Sequence, residues 1–190
     1  TGTLAYSGTS QNAIDAGSYV ITPLGLSSNN YDISYANGSL TVNKATLTVT
    51  ANAQSRVYGD ANPSFTQTIA GFVNGQTLAT SGVTGSAYGS TTATTASNVG
   101  TYTITASANG LSSANYQFTT TNGILTVNAR PITVTAAAKT KVYGSANPAL
   151  TYAVAADGVG TSRGLYGSDA LSGGLDVNAN TTTPVGNVAI

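Results

Sequence analysis

Apolar and polar residues alternate with a period of two through several short stretches of the chain. In ATLTVTA (45–51), Leu47 and Val49 fall on one side and Thr46, Thr48 and Thr50 on the other, which is the pattern of a strand with one buried and one wet face. PITVTA (131–136) repeats it, with Ile132 and Val134 inside and Thr133 and Thr135 outside, and TYTITAS (101–107) places Tyr102 and Ile104 together. NYQFTTTNGILTVN (115–128) reads as a hairpin, with Tyr116 and Phe118 on the first strand, a turn at Asn122-Gly123, and Leu125 and Val127 inside on the return. Asn-Gly accepts the positive φ that a two-residue hairpin turn demands. Tyr31, Ile33, Asn37-Gly38, Leu40 and Val42 form a sister hairpin. Helical periodicity is scarce, and GQTLATSG (75–82) is the only stretch that fits a short helix.

The same phrases return at a fixed distance. RVYGDANPSF (56–65) is matched by KVYGSANPAL (141–150), and NGSLTVN (37–43) by NGILTVN (122–128), the numbering of each pair differing by 85. AGSYVIT (16–22) and VGTYTIT (99–105) differ by 83, and PVGNVAI (184–190) is a third and weaker copy of the same phrase. A period near 85 exceeds the roughly 20–45 residues of solenoid units, which bury a core only by stacking, and falls within the size of small domains. Residues 1–43 are therefore the C-terminal part of a repeat, 44–128 a complete repeat and 129–190 the N-terminal part of another. The expected fold class is mainly β, with tandem small β-sandwich (Ig-like) modules, each the length of one period. The alternative is a β-grasp-like module carrying one short helix over Gln76 to Ser81. Only two or three residues separate the last strand of one repeat from the first of the next, and Pro131 fixes φ in the second joint. Such joints predict a semi-rigid rod.

The recurrent phrase reads as a corner after the first strand of each repeat. Gly59 and Gly144 supply the turn, and Asn62-Pro63 and Asn147-Pro148 send the chain out extended. Tyr58 and Tyr143 are expected to lay their rings over the end of the core and bond backbone through their hydroxyls. Stacking on a sugar is the functional alternative for the same two rings. A segment that recurs once per module belongs to the module's construction, and Asp60 becomes Ser145 in the second copy.

Composition narrows the chemistry. The 190 residues include no His, Cys, Trp or Met, and all six acids are Asp. Six Lys or Arg balance them, and charged residues make up 6% of the chain against a usual quarter. A catalytic Ser has no His or Glu to serve as base, so no enzyme is expected and no catalytic, cofactor-binding or metal-binding residues are assigned. Asp15, Asp32, Asp60, Asp157, Asp169 and Asp176 are scattered singly, unlike the clustered carboxylates of a calcium site. A Lys-Asn crosslink has only Lys44, at the edge of the complete repeat, to draw on. DGVGTSRG (157–164) lacks the spacing of a phosphate loop, and the stretch aligned with it in the preceding repeat is GFVNGQTL. There is no basic footprint for nucleic acid, and no apolar run of about 18 residues for membrane insertion. With 41% apolar residues and eleven Tyr, the chain is expected to fold. Lacking Met, it reads as a piece of something longer, and lacking Cys it suits a protein that folds outside a bacterial cell.

The combined pattern VYGDANPSF…GFVNG…VGTYTITAS…NYQF…NGILTVN resembles the YGX-type MBG repeats, also called YDG domains, of large bacterial surface and secreted adhesins related to filamentous haemagglutinin. The resemblance extends over all three repeats. It implies an extracellular location, at the bacterial cell surface or secreted, and a stalk or matrix role in attachment or biofilm. The implied partners are neighbouring repeats of the same chain, and polysaccharide or a host surface reached through other parts of the parent. Three alternatives stand beside it: a lectin-like module using Tyr58 and Tyr143, an ice-binding repeat using its Thr ranks, and a fibre subunit whose partial ends associate head to tail.

Overall fold

β-branched residues dominate the alternating stretches, and their stiff side chains suit a pleated surface. The computed structural model describes residues 1–188 and is mainly β. Fourteen strands are described: β1 (Ala5–Ser7), β2 (Gly17–Leu24), β3 (Gly38–Val42), β4 (Ala45–Ala51), β5 (Gln54–Val57), β6 (Gln67–Ala70), β7 (Thr84–Gly85), β8 (Tyr88–Ser90), β9 (Gly100–Ser107), β10 (Leu111–Ser112), β11 (Tyr116–Thr121), β12 (Gly123–Asn128), β13 (Val134–Ala136) and β14 (Tyr152–Val154). They form sheets of order β1-β2-β3, β11-β4-β6 and β5-β12-β9-β8, with two-stranded pairs β10-β7 and β13-β14. The arrangement is sandwich-like. Chain contacts divide it into one unit of residues 1–54, 64–92 and 103–125, and a second of residues 55–63, 93–102 and 126–190.

In the first unit, Leu47 and Val49 are fully buried on β4, and Ile104 and Leu125 are fully buried on β9 and β12. Ala51, Ala106 and Tyr116 complete this core. β4 is the central strand of its sheet. It pairs antiparallel with β6, opposing Val49 to Ile69, and parallel with β11, opposing Leu47 to Phe118. The outward Thr row is tied sideways: Thr48 Oγ1 and Thr119 Oγ1 share a hydrogen bond of 3.3 Å, and Gln117 Nε2 donates to Thr46 Oγ1 at 2.9 Å.

The two expected hairpins are not formed. β11 and β12 lie in different sheets, so the chain crosses between sheets at Asn122-Gly123 instead of turning back within one. Neither residue has a positive φ. Asn122 Oδ1 accepts the Ala106 N–H at 3.1 Å, and Gly123 lies against the Ala51 carbonyl with no room for a Cβ. Burying Tyr116 and Leu125 from strands of two different sheets stabilises the fold more than a two-stranded ribbon would. The sister stretch behaves alike: β3 pairs with β2, Tyr19 facing Leu40, and residues 28–37 form no strand. Tyr31 and Leu40 are exposed.

The short helix over Gln76 to Ser81 is also absent, which removes the β-grasp alternative. Two successive turns stand there, closed by Gln76 N–H to Val73 C=O at 3.0 Å and Thr80 N–H to Thr77 C=O at 3.0 Å. The Thr80 hydroxyl accepts the Thr77 N–H, as Thr does when it competes with a helix for backbone groups. Among the described residues the one helical turn is a 3-10 segment, Thr9–Asn12.

In the second unit, β13 and β14 pair antiparallel, Thr135 facing Ala153. Val134, expected inside, is exposed. Ser162 is buried there, its hydroxyl donating to the Ala155 carbonyl at 2.8 Å while accepting the N–H groups of Gly164 and Thr133. In PVGNVAI, residues 184–188 form no strand, and Ala189 and Ile190 lie outside the described residues.

Candidate functional site

The corner after β5 is built from a buried cation. Arg56 is 6% exposed and meets no carboxylate among the described residues; Nε donates to Asn62 Oδ1 at 2.8 Å, one terminal nitrogen to the Val57 carbonyl at 3.2 Å, and the other to the Thr94 carbonyl. Asn62 in turn donates through Nδ2 to the Ala93 carbonyl at 2.7 Å. The guanidinium fork thus ties the corner to the turn at residues 93–97, its charge met by oriented carbonyl dipoles. Gly59 N–H reaches the Thr95 carbonyl at 3.1 Å, and Asp60 N–H closes the turn on the Val57 carbonyl at 3.1 Å.

The copy beginning at Lys141 repeats the hub and its ties to the facing turn, but where Arg56 reaches the Val57 carbonyl, Lys141 Nζ donates instead to the Ser145 carbonyl at 3.3 Å. Lys141 Nζ donates to Asn147 Oδ1 at 2.8 Å and to the Asn180 carbonyl at 2.6 Å, and Asn147 Nδ2 donates to the Ala179 carbonyl at 2.7 Å. Gly144 N–H reaches the Thr181 carbonyl at 3.2 Å, and Ser145 N–H closes on Val142 at 3.0 Å. Of the residues singled out in sequence, Asn62 and Asn147 are the hubs of these clamps, and Gly59 and Gly144 adopt positive φ of 87° and 83°. Pro63 and Pro148 follow the hubs outside any strand. The cation at the head of each phrase was missed as a functional position, although Arg56 and Lys141 open the same phrase in successive repeats.

The tyrosines differ between copies. Tyr58 is half-buried, with its ring edge-on to Tyr166 at 5.4 Å and 77°. Its phenol bonds the Asp169 carboxylate, which raises its pKa above the ordinary 10.0, with burial adding to the effect. Tyr143 is 64% exposed. Backbone capture by a hydroxyl occurs elsewhere: Tyr19 and Tyr102, equivalent residues of two repeats, donate to the carbonyls of Asp15 and Asn98, each at 2.7 Å.

Around Tyr58 the joint between the complete and third repeats is closed by charge. Arg163 donates to Asp60 Oδ1 at 2.8 Å and to Asp157 Oδ1 at 3.1 Å, and Arg130 approaches Asp60 at 3.4 Å. Arg130 also caps the carbonyls of Gly164, at 2.9 Å, and Arg163. Tyr166 donates its hydroxyl to Thr95 Oγ1 at 2.9 Å. The joint between the first and complete repeats uses amides instead: Asn115 Nδ2 donates to Asp15 Oδ1 at 2.7 Å, its Oδ1 accepts the Ala16 N–H at 2.8 Å, and Lys44 caps the Ser113 carbonyl at 2.7 Å. Lys44 is thus engaged with backbone. Among the described residues no three metal-ligating side chains come together, and no helix is long and apolar enough to cross a membrane.

A sandwich-like β chain whose corner clamp recurs with the sequence period defines a tandem-repeat protein built of small β modules. The family model for the MBG domain (YGX type) matches residues 1–41, 47–126 and 132–190. The chain belongs to this family. No curated protein and no solved structure matches it.

Proposed function

We propose that this chain is a run of structural spacer repeats from a large extracellular bacterial adhesin, at the cell surface or secreted, holding an adhesive part away from the cell in attachment or biofilm. The observation that supports this most is the recurrence of one clamp, Arg56–Asn62 and Lys141–Asn147, at the same place in successive repeats. Construction repeats with the module; a catalytic or ligand site gains nothing by being tied up in backbone hydrogen bonds. The family resemblance supports the extracellular setting. Antibody raised against residues 44–128 should label intact, unpermeabilised cells of the bacterium that encodes the chain, and protease treatment of those cells should remove the label. Removing whole repeats from the parent should reduce attachment while purified repeats alone adhere to nothing. Label confined to permeabilised cells would end this reading.

A lectin-like reading has one observation in its favour, the exposed Tyr143 ring beside a cleft of about 250 Å3 that also holds Lys141 and Asn147. Tyr58 fits it poorly because Tyr166 covers its ring. Glycan-array binding abolished by Tyr143→Ala, with the fold intact, is the result this second reading requires.

A further inference from the structure

Tension along the chain enters the complete repeat through β4 and leaves it through β12, its first and last strands. Neither is an edge strand: β4 lies between β11 and β6, and β12 between β5 and β9. A strand with neighbours on both sides cannot be peeled from the rim of its sheet. Both also carry the core, with Leu47 and Val49 on β4 and Leu125 and Val127 on β12 no more than 1% exposed.

The direction of pairing decides how β4 meets that load. β4 and β11 run parallel in unbroken register, from Ala45 opposite Tyr116 to Thr50 opposite Thr121. The chain arrives at the N-terminal end of β4, whereas β11 leads from its C-terminal end through Asn122-Gly123 straight into β12. In a parallel pair those are opposite ends of one ladder. Pulling on them slides the strands lengthwise, so the evenly spaced bonds of the ladder share the force and fail together. An antiparallel pair gripped at one end of its ladder opens bond by bond.

Sliding is opposed by more than backbone. Thr48 Oγ1 and Thr119 Oγ1 share a hydrogen bond of 3.3 Å, and Gln117 Nε2 donates to Thr46 Oγ1 at 2.9 Å, both across the same ladder. A slip of one residue would also turn Leu47 and Val49 from the core to solvent. Where the two stretches continue, just after β5 and at the end of β12, Tyr58 N–H donates to the Asn128 carbonyl at 2.9 Å.

We propose that the complete repeat is a load-bearing element, in which tension along the chain shears the β4–β11 ladder instead of unzipping it. A load-bearing role deepens the spacer reading and rests on it for the source of the tension. Forced unfolding is governed by the unfolding rate and not by equilibrium stability, so the strength of the repeat depends on where it is gripped.

Single-molecule pulling on the whole chain tests this, with the direction of force as the variable. The sequence has no Cys, so pairs of introduced cysteines define the grip. Asn43→Cys with Ala129→Cys holds the repeat just outside β4 and β12. Asn43→Cys with Val73→Cys holds it outside β4 and β6, which pair antiparallel with Thr48 opposite Ala70, so this grip unzips that pair from one end. All three positions are exposed, and equal urea midpoints establish that the fold is the same in both variants. The 43/129 grip should need a rupture force about three-fold higher or more at the same pulling rate, and should release a contour length of about 300 Å at 3.3–3.6 Å per residue. The unsubstituted chain pulled by its two ends should show the same high-force event. Equal forces in the two grips, a weaker 43/129 grip, or no high-force event in the unsubstituted chain overturns the proposal. Antibody label confined to permeabilised cells would instead end the spacer reading and leave these rupture forces unchanged.

Discussion

Tyr166 occupies the space that a side chain on residue 59 would need. Gly59 has φ of 87° and a built Cβ would fall 2.7 Å from the Tyr166 ring, whereas Gly144 has φ of 83° and open space. Two glycines with one backbone conformation thus answer to different constraints. Gly144→Ala should cost only the left-handed strain, about 1–2 kcal/mol. Gly59→Ala should cost more, and combining it with Tyr166→Ala should recover part of the excess. A double-mutant cycle by urea denaturation measures the coupling; additive losses would show that the ring does not enforce the glycine.

The clamp should matter unequally in its two copies. Asn62→Ala leaves Arg56, 6% exposed, short of an acceptor and is expected to destabilise by about 1–3 kcal/mol. Asn147→Ala serves the more accessible Lys141, which turns to water, and should cost about 0.5–1 kcal/mol. Denaturant midpoints of the two variants compare them directly, and equal losses would contradict the burial argument.

Asp60 gathers two guanidinium groups at a partly exposed joint, its side chain 31% accessible. Asp60→Asn should lower stability by about 0.5–1 kcal/mol in low salt. The difference should shrink in 1 M salt, where the Debye length is about 3 Å. Thermal melts at the two ionic strengths read the change; a loss that does not depend on salt would point to packing rather than charge.

Alkaline pH should loosen the Tyr58 contact. Its folded pKa is raised by the Asp169 carboxylate first and by burial second. A raised folded pKa means the contribution is complete below the unfolded value near 10.0 and is lost as pH climbs through the folded value. Between pH 10 and the folded pKa, wild type should lose more thermal stability than Tyr58→Phe, and the variant should lack one phenol that ionises above the ordinary value in an absorbance titration. Identical alkaline profiles would remove the Asp169 interaction from the account.

Core truncation separates the complete repeat from the first one. Leu125→Ala and Leu47→Ala remove fully buried side chains and should each cost about 2–5 kcal/mol. Leu40, which matches Leu125 in the repeat but is 38% exposed, should cost far less when replaced by Ala. Chemical denaturation of the three variants checks the contrast.

Within the complete repeat, sequence alone determined the inward faces of the main strands, because a two-residue period states locally which side of a strand is wet: Leu47, Val49, Ile104, Leu125 and Val127 are all buried as the alternation requires, whereas Val134 and Leu40 in the flanking repeats are exposed. Period and spacing likewise marked the recurrent corner, with Asn62 and Asn147 at matching positions. What only the tertiary structure decided was pairing. The alternation in NYQFTTTNGILTVN is equally satisfied by a hairpin and by a crossing between sheets, and the choice rests on β4, far earlier in the chain, accepting β11 as a parallel neighbour. The different fates of Tyr58 and Tyr143 were hidden for the same reason. Their local sequences are nearly identical, and what separates them is a ring brought against Tyr58 by residue 166, a contact over a distance in sequence that no local pattern encodes.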